Sequence, residues 1–80
     1  MKHYADSKYV TAVLNEVQDF LDIQTGYGVQ NADEVLTSLE CEFALYARDK
    51  ARVFKMREKI AEAGWMCYER EFDELMEEWN

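Results

Sequence analysis

Four cations, Arg48, Arg52, Lys55 and Lys59, follow one another at steps of four, three and four. On a helix this spacing places all four on one face, where they would make a site for a phosphate or another small anion. Tyr46 and Phe54 are close enough in sequence to stack on a base beside them. Ten residues further on, the sign reverses. Glu69, Asp73, Glu74, Glu77 and Glu78 fall within "EREFDELMEE", which holds six acids and one base. Carboxylates clustered on a rigid helix can imitate the phosphates of a nucleic acid and occupy a basic groove. Each pattern also has a plainer explanation: the basic face meets an acidic helix or water, and the acidic face is simply solvated.

Catalytic chemistry finds little to work with. The single histidine, His3, falls in a segment that reads as frayed, and no Ser–His or Cys–His motif surrounds it. Cys41 and Cys67 are far apart and do not form a zinc pattern. The stretch "DELMEE" lacks the glycine and alternating oxygen ligands of a calcium loop. "GYGVQN" is no phosphate cradle, because the full glycine pattern and a preceding strand are missing. A non-catalytic protein without cofactor or metal is expected.

The elements that must position these charges read as helices. About half of the 80 residues are apolar and 14% are aromatic, which argues for a folded chain. With no proline and only Gly26, Gly28 and Gly64 as breakers, long helices are the natural outcome. Val10, Val13, Leu14, Val17, Phe20 and Leu21 form one stripe, capped by Asp6 or Ser7. The first helix is expected at about 8–24, ended by Gly26 in the left-handed conformation. Tyr27 and Val29 in the following loop are expected to pack on the core, and Asn31 with Glu34 suggests a capping box. Leu36, Leu39, Phe43, Tyr46, Val53 and Ile60 then hold phase over 32–63. Such a helix would be roughly 48 Å long at 1.5 Å per residue. It must bend or find another surface to pack on.

Gly64 decides the rest. As the residue after a helix, it would turn the chain so that a third helix, 66–79, lies back along the second. Trp65, Tyr68, Phe72, Leu75, Met76 and Trp79 would then form its inward stripe. Alternatively the helix runs straight on, since residues 57, 61, 65, 68 and 72 keep phase across the glycine. Residues 48–59 hold six cations and two acids, a net +4, against −5 for residues 69–78. A turn lays these stretches side by side, and this favours the hairpin. The fold expected is all-α: one domain over 1–80, a three-helix bundle with a long central helix and a tendency to self-associate.

A net charge of −8 disfavours nucleic acid and anionic membranes as direct partners. Two cysteines and the absence of an apolar leader in "MKHYADSKYV" fit a cytoplasmic protein, in the host cytoplasm if viral. The stretch "CEFALYARDKARVFKMREKIAEAGWMCYEREF", Cys41 to Phe72, resembles the helical core of small phage counter-defence proteins. That resemblance implies either an acidic anti-CRISPR-like inhibitor or an oligomeric sponge for cyclic nucleotides, with Tyr46, Arg48 and Arg52 as its phosphate and base contacts. The reading adopted is an acidic helical inhibitor or adaptor. It would bind a basic, nucleic-acid-handling protein through Glu69, Asp73, Glu74, Glu77 and Glu78. The alternative is a homo-oligomeric sponge for a small anion, using Tyr46, Arg48, Arg52, Lys55 and Lys59.

Overall fold

A computed structural model describes the backbone of residues 2–79 and the side chains of residues 2–66. It is all-helical, with α1 at Ser7–Asp22, α2 at Gly26–Glu42 and α3 at Ala47–Trp79. The Asp6 carboxylate caps α1 by accepting from the Lys8 amide at 2.8 Å. Val10, Val13, Leu14, Val17 and Leu21 are buried, as their spacing predicts.

The turn after α1 differs from expectation. Gln24, not Gly26, takes the left-handed conformation, with φ at 59°. Thr25 is extended and caps α2 by accepting from the Gly28 amide at 3.0 Å. The cap therefore forms at Thr25, and Asn31 and Glu34 lie inside the helix. Gly28 serves close approach instead: a Cβ there would stand 2.5 Å from the Phe20 carbonyl oxygen of α1. Val29 packs against the core, whereas Tyr27 is exposed.

The expected helix over 32–63 is two elements. α2 stops at Glu42, and Phe43 is extended at φ −129° and ψ 148°. Here the backbone has another partner. The Ala44 amide donates to the His3 carbonyl at 2.9 Å, and the Ala5 amide donates to the Ala44 carbonyl at 2.9 Å. This isolated parallel bridge holds the segment expected to fray. It also buries Ala5 and Leu45 in the core. α3 then starts with the Lys50 amide donating to the Tyr46 carbonyl.

Contacts along α3 set the directions. Ser7, Thr11 and Gln18 of α1 meet Asp49, Arg52 and Lys59 in order, so α1 and α3 run parallel. α2 runs antiparallel to both. The core is built from Leu14, Val17, Ala32, Leu36, Val53 and Ile60 with their neighbours. Met56 joins it, although the periodic reading passed over it.

The expected turn at Gly64 does not occur. α3 passes through it for 33 residues, and no glycine has positive φ. The long helix is therefore the last, not the middle one, and the segment 66–79 is its continuation. Tyr46 and Trp65, expected inside, are exposed. The side chains of Tyr68, Phe72, Leu75 and Trp79 lie outside the described residues.

The two glycines should respond oppositely to a methyl group. Gly64→Ala, whose Cβ would meet only Val29 Cγ1 at 3.7 Å, should gain about 1 kcal/mol in urea unfolding followed by circular dichroism. Gly28→Ala should lose stability, because backbone atoms must part to admit the Cβ.

Candidate functional site

α3 carries every charge singled out from the sequence, and its first half is tied to the other two helices. Asp49, in its first turn, is completely buried. Ser7 Oγ donates to Asp49 Oδ2 at 2.9 Å, and Arg52 Nη1 donates to Asp49 Oδ1 at 3.1 Å. The same guanidinium donates through Nη2 to Thr11 Oγ1 at 2.8 Å. One turn on, Arg57 clamps α2. It donates to Glu40 at 2.8 Å, Asp33 at 3.1 Å and Thr37 at 3.2 Å.

The proposed basic face is thereby divided. Arg52 and Lys59 are turned to α1, the latter donating to Gln18 Oε1 at 3.4 Å. Arg48 and Lys55 are exposed. Tyr46 stacks on Tyr4 with ring centroids 4.6 Å apart, so one of its faces is already covered. The structure brings a different set together. Lys2, Tyr4, Phe43, Lys50, Phe54 and Arg57 line an open cleft of about 460 Å³ between the N-terminal segment, α2 and α3. Its charge is partly answered within the chain. Glu40 stands in its wall, engaged by Arg57, while Lys2 Nζ donates to the Glu40 carbonyl at 3.3 Å. Lys2 and Tyr4 escaped the sequence reading because a lone backbone bridge leaves no periodic signal.

The acidic cluster is carried on the same helix, but the side chains of Glu69, Asp73, Glu74, Glu77 and Glu78 lie outside the described residues. The buried phase of α3 runs through Asp49, Val53, Met56 and Ile60 and reaches Ala63 and Gly64 beside Val29. In the sequence, further steps of three and four from Gly64 meet Cys67, Glu71, Glu74 and Glu78, so the apolar pattern ends there. Cys41 is a free thiol at the surface, and no metal-binding cluster occurs among the described residues.

Arg52→Met should test the buried network. It would leave the Asp49 carboxylate with Ser7 as its only remaining side-chain donor among the described residues, and stability should fall by about 2 kcal/mol in urea unfolding. Arg48→Met, at an exposed position, should stay within about 0.5 kcal/mol of the parent. Equal effects would mean that the Asp49 network contributes nothing special.

Comparison with known proteins returns no matching family model, no matching curated protein and no matching solved structure.

Proposed function

We propose that the protein acts by binding: it is a small inhibitor or adaptor that offers the acidic distal half of α3 to a basic, nucleic-acid-handling protein. The uninterrupted course of α3 carries this reading. Residues 67–79 continue the helix about 20 Å past Gly64 and Val29, at 1.5 Å per residue. The centres of the +4 and −5 stretches are then about 20 residues apart, or roughly 30 Å along the axis. Screening at physiological salt acts over about 8 Å, so the two stretches of one chain do not neutralise each other.

A negative field extending from a narrow rod also speeds encounter with a basic partner. The small-anion reading has less support, because two of its four cations are engaged with α1.

Capture from a nuclease-treated bacterial lysate tests the proposal. The parent chain should retain a basic protein that leaves on raising the salt. Asp73→Lys, Glu74→Lys and Glu77→Lys together should abolish that capture while the circular-dichroism spectrum remains helical. Unchanged capture by the triple variant would remove the acidic surface from the account.

A further inference from the structure

α3 carries a second stripe, on the side away from its core. Ala47, Ala51, Phe54, Glu58, Ala61 and Trp65 follow one another at alternating steps of four and three, and all six are exposed. Phe54 is 64% and Trp65 67% accessible. Tyr68, Phe72, Leu75 and Trp79 continue the same alternation to the end of the helix. Nine of the ten positions are apolar, with Glu58 the exception. A repeat of about 3.5 residues sustained over so many turns is the seam of a coiled coil, not the drifting stripe of a surface helix.

From this seam we infer that α3 pairs with α3 of a second copy of the chain, antiparallel, about a dyad near Ala63. Charge selects the orientation. A parallel pair would lay the +4 stretch on its own copy and the −5 stretch likewise, whereas the antiparallel pair lays each on its opposite. The register that does this also matches sizes. Ala47 comes to the level of Trp79, Ala51 to Leu75, Phe54 to Phe72 and Ala61 to Trp65. Three of these four pairs set an alanine against a larger side chain, Phe54 and Phe72 set two rings together, and Glu58 falls level with the phenol-bearing Tyr68. At the flanks, Lys50 comes opposite Glu78 and Lys55 opposite Glu69, each twice by symmetry. Among the described residues neither lysine has an ion pair within its own chain. The helices α1 and α2 pack on the other side of α3, and the described seam positions 47, 51, 54, 58, 61 and 65 are exposed.

Light scattering on the eluting peak of a sizing column tests this, followed by a charge exchange. The parent chain should run at twice its 9.5 kDa mass. The pair of changes Lys50→Glu with Lys55→Glu, and separately Glu69→Lys with Glu78→Lys, should each raise the dimer dissociation constant roughly 10- to 100-fold at low salt, with helicity retained. Mixing the two variants should restore a dimer, because each of the exchanged contacts, 50 with 78 and 55 with 69, again joins unlike charges. A parent chain that stays at the mass of one copy, or exceeds two, overturns the inference. So do variants that dimerise as well alone as mixed. Asp73, Glu74 and Glu77 fall outside the seam and its flanks, so loss of pairing and loss of partner capture are read separately.

Discussion

The fold depends on a single carboxylate that has no contact with water. α1 and α3 run parallel and begin side by side, which brings two helix N-termini, each with its partial positive charge, into one place. Asp49 lies between them, taking a hydrogen bond from the first residue of α1 and another from Arg52 of its own helix. A buried charge is costly unless it is paired and hydrogen-bonded, and here both lone-pair sides have a donor. Keeping that carboxylate satisfied holds the first turn of α3 against the first residue of α1. Two of the cations that sequence spacing assigned to a ligand face are recruited into the same α1–α3 seam.

How much of this could be read from the chain divides along physical lines. The inward face of α1 was legible because five apolar residues at helical steps have one way to leave water. The break at residues 43–46 was not. No glycine or proline marks it, and Leu39, Phe43, Tyr46 and Val53 stay in helical phase across it. The backbone leaves the helix because Ala44 finds hydrogen bonds near the N-terminus, about forty residues away, and periodicity carries no record of such a partner. At Gly64 the sequence permits both courses, and the charge pattern favours the turn. Exposed ion pairs are worth too little to turn a helix that has no left-handed residue to turn on. The change of phase was the better signal: the core-facing stripe gives way to Cys67, Glu71 and Glu74, while the outer one keeps its apolar character.

α3 therefore does two unlike jobs along its length. Its first half closes the core of α1 and α2, with Arg57 reaching three residues of α2. Its second half continues the helix beyond Gly64 and carries the acidic stretch of the sequence. The long dimension of the protein, 55 Å against 18 and 16 Å, is the length of this one helix plus its first flanking residues. A small core anchors the rod, and the rod sets the reach.

The bridge between Tyr4 and Ala44 has a consequence for the order of assembly. α1 and α2 are joined by three residues and can find each other through local chain closure alone. The bridge must instead enclose the whole of that hairpin before its two hydrogen bonds form, and loop-closure entropy opposes it until the hairpin has shortened the path. Docking of the N-terminal segment is thus a late event in folding and an early one in local opening. Exchange of the Ala5 and Ala44 amide protons with solvent reports on this latch, separately from the helices it joins.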